Sequence, residues 1–310
     1  MYVIFNIIMK ILCTTSSFNA NSFPSDYEVI KNPYKRKLTE GEVIALIKEH
    51  DPDGIIAGVE PLTRKVLETS DKLKVISRCG VGLDSVDMNA ASEKKIIVFN
   101  TPDVPVKPVA ELTIGMIFYL VRGIGVLTSG INEGNWVRST GGLVAEKTIG
   151  IIGCGRIGSR VACLLAPSGA RLIGYDPFVK EHPICRMVSF EYLLTNSDVI
   201  SLHVPLTPEN DNLLSAKNLQ KTKPGTIIIN NSRGGLVDEK ALYELLKAGH
   251  LGGAGMDVFT TEPYIGPLTG LENVILTPHI GSSAGNSRME MESSAIKNLV
   301  TGLNNFVLNH

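Results

Sequence analysis

The chain has 310 residues, of which 44% are hydrophobic and 20% charged, and this composition excludes an intrinsically disordered protein. Its 30 Lys and Arg residues against 31 Asp and Glu give a net charge of −1, without the basic excess typical of a nucleic-acid-binding protein. At roughly 150 residues per domain, the length predicts two domains with cores large enough to need no disulfide or metal.

The cysteines and the apolar runs indicate the cellular compartment of the protein and its relation to membranes. The five cysteines are odd in number and none form a C-x-x-C pair, so we expect reduced thiols in a cytoplasmic protein and no bound metal. The longest apolar run, Leu112–Val121, is too short to span a bilayer, and we expect no membrane association. Residues 1–12 lack the features of a signal peptide, and we interpret residues 1–8 as an extension before the first strand.

The first third of the chain alternates short apolar runs with helical patterns. The runs KILCTT, GIIAG, KVISRCG and KIIVFN predict strands, and EGEVIALIKEH, LTRKVLETS and VDMNAASEK between them predict helices. This alternation is typical of β-α units that form a parallel sheet. Three prolines within residues 100–108 indicate a boundary, and a helix over about 108–122 is apolar on nearly every side, which predicts that it is buried.

The alternation continues more strongly over residues 147–281. The predicted strands are KTIGIIG, RLIGYD, DVISLHV, TIIINN, GAGMDVF and NVILTP. Their near-continuous apolar character favours a parallel sheet covered on both faces. Residues 283–308 predict one long C-terminal helix, broken or weakened near Gly302.

A glycine motif carries the first chemical signal. Gly153, Gly155 and Gly158 form G-x-G-x-x-G between a predicted strand and a predicted helix, and Asp176 ends the next strand. This context is the dinucleotide fingerprint, in which the helix start binds the pyrophosphate and the acidic residue binds a ribose hydroxyl. Because the carboxylate of Asp176 would repel a 2′-phosphate, the motif favours NAD over NADP.

Three further residues follow predicted strands of the same domain. Arg233, Glu262 and His279 lie just past the strands TIII, GAGM and NVIL, where ligands bind in open α/β sheets. A lone residue of each type is more often a surface charge or part of a capped turn, but three at strand ends of one domain fit the chemistry of a 2-hydroxy acid. An arginine can bind a carboxylate with two parallel hydrogen bonds, and a histidine can exchange a hydroxyl proton while a nearby carboxylate orients it.

The sequence resembles the D-isomer-specific 2-hydroxyacid dehydrogenases over residues 10–310. The stretches that carry the resemblance are GIIGCGRIG, NNSRGGLVDEKAL, GMDVFTTEP and LTPHIGSS. The stretches VISRCGVGLDSVD, NTPDVPVKPVAELTIGM and VEPLT are similar to the phosphoglycerate dehydrogenase branch of that family. That branch implies NAD-dependent oxidation of 3-phosphoglycerate to 3-phosphohydroxypyruvate in serine biosynthesis. We expect a short form that ends after the closing helix, without a regulatory domain.

The resemblance also implies the roles of individual residues. Arg233 would bind the substrate, His279 would be the acid and base, and Glu262 would be its partner. Arg78, Val81 and Gly82 would also contact the substrate. Arg78 is the leading candidate for a phosphate ligand, and Lys107 and Arg138 are further candidates. For each of these three residues the alternative is a surface charge. Arg156 and Ile157 would present backbone N–H groups to the pyrophosphate, and His203–Pro205 would line the adenine side. Asp257 would hydrogen-bond the nicotinamide carboxamide or tune the site. The complete set of implied cofactor contacts is Gly153, Gly155, Arg156, Ile157, Gly158, Asp176, His203, Val204, Pro205, Asn231, Ser232, Asp257 and Gly281.

The implied fold is α/β, with two Rossmann-like, doubly wound parallel-sheet domains and the active site in the cleft between them. Residues 1–103 plus 283–310 would form a discontinuous substrate domain, and residues 104–282 the NAD-binding domain. The family is typically a homodimer or homotetramer. Two alternatives stay open: a reductase of glyoxylate, hydroxypyruvate or another small 2-keto acid, and an NAD(H)-sensing binding protein similar to the family's corepressors.

Overall fold

A computed structural model describes residues 8–18, 23–136 and 138–308 of the chain. The predicted extension at residues 1–8 therefore lies, except for Ile8, outside the described residues. The chain divides into two compact units, Met1–Pro105 with Ala284–His310 and Val106–Ser283. Each unit is built on a parallel sheet, which confirms the predicted α/β class. The assignment of one unit to substrate and the other to NAD stays a prediction.

The first unit has a five-stranded parallel sheet in the order β2-β1-β3-β4-β5. Its strands are β1 Met9–Cys13, β2 Tyr27–Lys31, β3 Gly54–Ala57, β4 Val75–Arg78 and β5 Ile97–Phe99, and its first helices are α1 Glu40–His50, α2 Arg64–Leu67 and α3 Met88–Glu93. The sequence does not predict β2, because this edge strand is short and mixes polar with apolar residues. The central strands are fully buried, as expected for a sheet covered on both faces.

Local sequence chemistry sets the bounds of α1. Thr39 caps its start by accepting a hydrogen bond from the backbone N–H of Glu42, whose carboxylate accepts in return from the Thr39 N–H at 2.9 Å. Asp51 ends the helix in the left-handed conformation, with φ of 44°. This reciprocal capping satisfies two backbone donors that the first turn of a helix leaves without partners.

The second unit has a seven-stranded parallel sheet in the order β12-β11-β10-β9-β6-β7-β8. Its strands are β6 Thr148–Ile152, β7 Arg171–Tyr175, β8 Arg186–Met187, β9 Val199–Leu202, β10 Thr226–Asn230, β11 Leu251–Met256 and β12 Val274–Leu276. Its helices are α4 Val106–Val121, α5 Ile124–Asn132, α6 Arg156–Leu165, α7 Phe190–Asn196, α8 Ala216–Gln220 and α9 Glu239–Lys247. The strand order reverses between β6 and β9, and ligands of open α/β sheets bind outside the carboxyl ends of the strands at such a point.

The sequence predicts that the helix over about 108–122 is buried on nearly every side. In the structure this helix, α4, buries only one face. Ala110, Thr113, Met116 and Ile117 of α4 are almost inaccessible, whereas Phe118 is 41% exposed. No single helix in the described ranges is long and apolar enough to cross a membrane, and α4 with α5 meets that test only as a pair bent by 65°.

The C-terminal helix α10, Ser287–Leu308, closes the first unit, and the predicted break at Gly302 is wrong. A Cβ at Gly302 would lie 2.7 Å from Phe99 and 3.0 Å from Val75. The glycine is therefore explained by a close approach of the helix to β4 and β5 and not by a kink. Met291, Leu299 and Leu303 bury the apolar face of α10.

Candidate cofactor and active site

The loop between β6 and α6 is shaped by its three glycines. Gly153 has φ of +92°, and a Cβ there would lie 2.4 Å from the His203 carbonyl oxygen. A Cβ at Gly158 would lie 1.9 Å from the Gly153 carbonyl oxygen, so this contact between loop and helix requires glycine. In contrast, no atom of the described structure beyond Gly155 and its two chain neighbours lies within 4 Å of the corresponding point at Gly155. The backbone at the start of α6 is thus open to a phosphate group, as a dinucleotide requires.

Asp176 lies directly after β7 and is tied to the same loop. One carboxylate oxygen accepts a hydrogen bond from the Cys154 N–H at 2.9 Å. The other oxygen accepts from the Phe178 N–H at 2.9 Å and the Val179 N–H at 3.2 Å. These bonds fix the carboxylate and leave acceptor capacity for a ribose hydroxyl. The loop and Asp176 therefore fit NAD.

The segment after β9 lies beside the glycine loop. The residue His203 is half-buried, but its Nδ1 is fully enclosed, and burial lowers the pKa of this imidazole to about 3. Its Nε2 lies 2.8 Å from Ser201 Oγ. Val204 and the exposed Pro205 follow, and the Val204 side chain lies 2.7 Å from the Cβ position of Gly153. His203 is therefore a neutral interior group, and the adenine contacts of this segment stay a prediction.

The exit of β10 carries two of the predicted cofactor residues. Asn231 donates from Nδ2 to Thr113 Oγ1 at 3.0 Å, and its Oδ1 is buried without a hydrogen bond to any described residue. A buried acceptor without a hydrogen-bond donor lowers the free energy of unfolding. This oxygen is therefore suited to accept a hydrogen bond from a donor group of a bound molecule. Ser232 instead donates its hydroxyl proton to the Leu202 carbonyl oxygen at 2.6 Å, which joins β10 to β9.

Arg233 follows at the same strand exit and is half-buried. Its Nη1 donates to the Ser232 carbonyl oxygen at 2.7 Å. The next residue, Gly234, lies so close to the backbone after β11 that a Cβ would be 1.9 Å from the Phe259 carbonyl carbon. The exits of β10 and β11 are therefore in direct contact, and only glycine at position 234 permits this packing.

Glu262 and His279 meet in the second unit. His279 Nδ1 lies 2.9 Å from Glu262 Oε2, and Glu262 Oε1 accepts from the Phe259 N–H at 3.1 Å. Both side chains are partly exposed, at 36% for His279 and 28% for Glu262. With Nδ1 directed to the carboxylate, Nε2 is left for proton exchange. His279 has φ of +54°, a sparsely populated conformation for a residue with a side chain.

Asp257 holds the loop that presents His279. Its carboxylate accepts hydrogen bonds from Thr277 Oγ1 at 2.5 Å, the Ile280 N–H at 2.8 Å and the Gly281 N–H at 2.7 Å. Its carbonyl oxygen accepts from the His279 N–H at 2.9 Å. Burial raises the pKa of Asp257, while these hydrogen bonds oppose the shift. No sequence motif predicts this role of Thr277, although its position before Pro278 at a strand exit is the signal that could have indicated it.

The predicted substrate residues of the first unit lie at the exit of β4. The Arg78 side chain is buried and donates from Nη1 to the Cys79 carbonyl oxygen at 3.0 Å. Its guanidinium occupies the space beside Gly80, where a Cβ would lie 1.2 Å from Nη1. By contrast, Lys107 and Arg138 are exposed. Burial raises the pKa of the Cys79 thiol to about 11, which excludes this cysteine as a nucleophile at neutral pH.

Two residues that the sequence analysis does not identify hold the loop after Arg78. Thr101 Oγ1 accepts from the Gly80 N–H at 2.8 Å, and Asn100 Nδ2 donates to the Val81 carbonyl oxygen at 2.7 Å. Val81 is 37% exposed, and Gly82 is half-buried. The Asn100-Thr101-Pro102 segment after β5 resembles the Thr277-Pro278 exit in the second unit, and this repetition could have indicated their role.

The predicted catalytic and substrate residues thus lie in two groups, one in each unit. The second unit brings Arg233, Glu262 and His279 to neighbouring strand exits, on the sheet that carries the glycine loop and Asp176. The first unit holds Arg78, Val81 and Gly82 together at one exit. The roles of all these residues stay predictions. Within the described residues, no group of three or more His, Cys, Asp or Glu side chains could hold a metal ion.

The chain is similar to known proteins along most of its length. Residues 114–281 match the family model described as D-isomer specific 2-hydroxyacid dehydrogenase, NAD binding domain. The chain is 42% identical over 255 residues to a D-3-phosphoglycerate dehydrogenase of Methanocaldococcus jannaschii, an alignment covering 79% of this chain and 48% of that protein. It is 38% identical over 258 residues to a hydroxypyruvate reductase of Thermotoga maritima, covering 81% of this chain and 84% of the reductase.

A solved structure has the same architecture. The TT0316 protein from Thermus thermophilus has a TM-score of 0.86 and 34% identity, covering 96% of this chain and 97% of that chain. The chain spans about half the length of the D-3-phosphoglycerate dehydrogenases of Synechocystis (51%) and Methanocaldococcus jannaschii (48%). The family model covers more than half of the chain, including the glycine loop and the Arg233, Glu262 and His279 exits. The chain belongs to the D-isomer specific 2-hydroxyacid dehydrogenases, and residues 114–281 match the NAD-binding domain of that family.

Proposed function

We propose that the protein is an NAD-dependent dehydrogenase that oxidises the CH–OH group of a D-2-hydroxy acid, with 3-phosphoglycerate as substrate and 3-phosphohydroxypyruvate as product. The 2.9 Å contact between His279 Nδ1 and Glu262 Oε2 carries the proposal, because it provides an oriented proton acceptor on the sheet that bears the glycine loop. Family membership and the D-3-phosphoglycerate dehydrogenase relatives support it.

The proton of the substrate hydroxyl goes to His279. With Nδ1 held by Glu262, Nε2 takes the proton during oxidation and returns it during reduction. The carboxylate stabilises the imidazolium that forms and fixes the ring orientation. Asp257 contributes indirectly, because its three hydrogen bonds hold the loop in which His279 has a positive φ.

Arg233 binds the carboxylate of the substrate. Its guanidinium can form two parallel hydrogen bonds with a carboxylate, which positions C2 of the hydroxy acid. The backbone N–H groups of Val81 and Gly82 in the first unit are proposed to contact the substrate.

The glycine loop, the start of α6 and Asp176 hold the dinucleotide. When bound, the nicotinamide ring supplies the site that accepts or donates a hydride. Gly155 leaves the backbone open to the pyrophosphate, and Asp176 accepts hydrogen bonds from the adenosine ribose. Asn231 Oδ1, the buried acceptor at the exit of β10, is available to a donor on the nicotinamide side.

Arg78 is proposed to bind the phosphate of 3-phosphoglycerate. Its buried position beside Gly80 distinguishes it from the exposed Lys107 and Arg138, and an enclosed guanidinium interacts more strongly with a phosphate than an exposed one. A second candidate function is the reduction of hydroxypyruvate or glyoxylate. The hydroxypyruvate reductase relative supports it, because its 38% identity to the chain equals that of a D-3-phosphoglycerate dehydrogenase relative.

We also propose a homodimer or homotetramer in the cytoplasm. Exposed apolar side chains on α4 and α5 support self-association: Phe118, Ile124, Val126 and Ile131 are all at least 41% exposed. Light scattering coupled to size exclusion measures the oligomer directly, and a monomeric mass at micromolar concentration contradicts this proposal.

The experiment that tests the function follows NADH absorbance with a substrate panel. The proposed function predicts NAD reduction with 3-phosphoglycerate at a higher kcat/KM than with D-glycerate, and loss of that preference in Arg78→Ala. Arg171→Ala, at the exposed start of β7, is the matched control for removal of a positive charge. Faster turnover of hydroxypyruvate or glyoxylate, with no effect of Arg78→Ala on selectivity, supports the second candidate. NADH binding without turnover of any acid supports the dinucleotide-sensing alternative.

A further inference from the structure

We propose that Cys154 and Cys185 form a reversible disulfide that lowers the affinity of the glycine loop for the dinucleotide. The proposal rests on the cofactor site described above and adds to it a redox-sensitive modification site. Cys154 lies between the first two glycines of the loop, and Cys185 directly precedes β8.

Gly174 of β7 gives the two cysteines room to meet. A Cβ on Gly174 would lie 2.7 Å from Cys154 Sγ and 3.2 Å from the Cβ of Cys185. The sulfur of one cysteine and the Cβ of the other therefore lie close to one point in the interior. A disulfide needs its two Cβ atoms about 3.5–4.5 Å apart, so the bond forms when the backbone of the loop or of the segment before β8 brings them to that separation.

The two thiols are chemically unequal. The interaction with Cys185 and burial raise the pKa of Cys154. The interaction with Cys154 lowers the pKa of Cys185, against the opposing effect of burial. The thiolate is the reactive form of cysteine, so Cys185 is the thiol that an oxidant attacks first and Cys154 is the resolving thiol.

A hydrogen-bonded path fixes the backbones of both cysteines. His182 Nδ1 accepts from the Cys185 N–H at 3.0 Å, and His182 Nε2 lies 3.0 Å from Ser159 Oγ. Ser159 Oγ in turn donates to the Cys154 carbonyl oxygen at 3.0 Å. The first turn of α6 thus ties the segment before β8 to the glycine loop.

Access to the pair comes from the edge of the sheet. Both side chains are buried, at 5% exposure for Cys154 and 4% for Cys185. However, β8 is a two-residue edge strand that pairs only with Ile173 and Gly174 of β7 in the described structure. Short edge segments with few backbone hydrogen bonds open locally at low free energy, which exposes Cys185 to a small oxidant.

The oxidant class is a peroxide, and hydrogen peroxide is the probe. The Cys185 thiolate attacks one peroxide oxygen, the O–O bond breaks, and a sulfenic acid and a first water form. The Cys154 thiol then attacks that sulfur, the S–O bond breaks, and a second water leaves as the S–S bond forms. Two thiols and one peroxide thus give one disulfide and two waters, and a dithiol reductant reverses the change.

The bond alters the cofactor site through Cys154. The Cys154 N–H donates to Asp176, the proposed ribose ligand, at 2.9 Å, and the next residue, Gly155, is the N-cap of α6, whose start is proposed to bind the pyrophosphate. A shift of Cys154 toward Cys185 moves this N–H and the loop backbone away from the geometry that binds the dinucleotide. Dinucleotide affinity is therefore expected to fall upon oxidation.

The test treats the full chain with hydrogen peroxide, maps disulfides by non-reducing mass spectrometry and measures NADH binding by fluorescence. We expect a Cys154–Cys185 linkage, an increase in the NADH Kd of about tenfold or more, equivalent to ~1.4 kcal/mol, and recovery with dithiothreitol. Because disulfide mapping does not depend on NADH binding, it separates failure of this proposal from failure of the proposed function.

Two variants sharpen the result. Cys185→Ser should keep its NADH affinity after peroxide, with Cys185→Ala in its place if the serine variant fails to fold. Cys163→Ser, which removes the exposed cysteine of the same unit, should respond as the wild type does. Absence of the linkage in the wild type overturns the proposal. It is also overturned by a linkage that leaves the Kd unchanged, or by an equal loss of affinity in the Cys185 variant.

Discussion

Glu262 joins His279 to the backbone that follows β11. Its Oε2 lies 2.9 Å from His279 Nδ1, and its Oε1 accepts from the Phe259 N–H at 3.1 Å. One carboxylate therefore connects the exits of β11 and β12. The orientation of the imidazole consequently depends on a residue 17 positions away in the sequence.

Replacement of His279 tests its role as acid and base. We expect His279→Asn to lower kcat by roughly 10²–10⁴, because the hydroxyl proton then has no acceptor. Glu262→Gln should cost less, since the imidazole remains but loses its charged partner. Steady-state kinetics in both directions measures this, with Glu272→Gln, an exposed carboxylate before β12, as control. Unchanged activity in His279→Asn contradicts the assignment.

Arg233 should act through its shape as well as its charge. Arg233→Lys keeps a positive charge but loses the paired donors, so we expect a clear rise in KM for the hydroxy acid. Arg233→Ala should abolish most of kcat/KM, while NADH affinity changes little. The matched control is Arg171→Ala, at the opposite end of a strand in the same sheet. Full activity of the alanine variant would show that another residue binds the carboxylate.

Asp176 should determine the choice between NAD and NADP. We expect the wild type to prefer NAD by about tenfold or more in kcat/KM, through ribose hydrogen bonds and repulsion of the 2′-phosphate. Asp176→Ala should reduce that ratio. The exposed Glu181 supplies the control Glu181→Ala, which removes a nearby charge without contacting the glycine loop. Equal use of both dinucleotides by the wild type is the contrary result.

His203 should make folding stability depend on pH. Burial lowers its pKa from 6.5 in the unfolded chain to about 3 in the native protein. Below pH 6.5 the unfolded chain therefore binds a proton that the native protein does not, and stability falls as the pH falls. Between pH 7 and pH 5, the wild type should lose about 2 kcal/mol more of its unfolding free energy than His203→Gln does. Urea unfolding at both pH values measures the difference, and parallel losses contradict the prediction.

Two helix glycines should respond in opposite directions to alanine. Gly302→Ala places a methyl group 2.7 Å from Phe99, and such overpacking typically costs about 1–3 kcal/mol. At Gly115 in α4, no atom outside the helix's own backbone and the two chain neighbours lies within 4 Å of the position of a new methyl group. Gly115→Ala should therefore stabilise the protein by about 0.5–1 kcal/mol through helix propensity. Thermal or urea unfolding compares the two. A neutral Gly302 variant would mean that α10 can move away from the sheet.

Much of the site follows from local sequence rules. Parallel strands end at a common edge, so the positions of Arg233, Glu262 and His279 after three apolar runs suffice to predict that they lie near each other. The glycine loop is predicted for a similar reason, because G-x-G-x-x-G between a strand and a helix describes a local backbone shape.

Other features depend on contacts that no local pattern encodes. Asn231 meets Thr113 across 118 residues of sequence, and Asp257 uses both carboxylate oxygens to hold the loop around His279. The break predicted at Gly302 is wrong because helix propensity cannot reveal that a sheet lies against that position. The edge strands β2 and β8 are missed because short or half-exposed strands have a weak apolar pattern.

The discontinuous first unit imposes an order on folding during synthesis. The second unit consists of the single segment Val106–Ser283 and is complete in sequence once residue 283 has left the ribosome. The first unit needs α10, whose Met291, Leu299 and Leu303 cover the strands near the start of the chain. The apolar face of its sheet therefore stays uncovered until the residues of α10 have been synthesised. A nascent chain stopped at residue 283 should present a folded second unit preceded by a sheet that still binds chaperones.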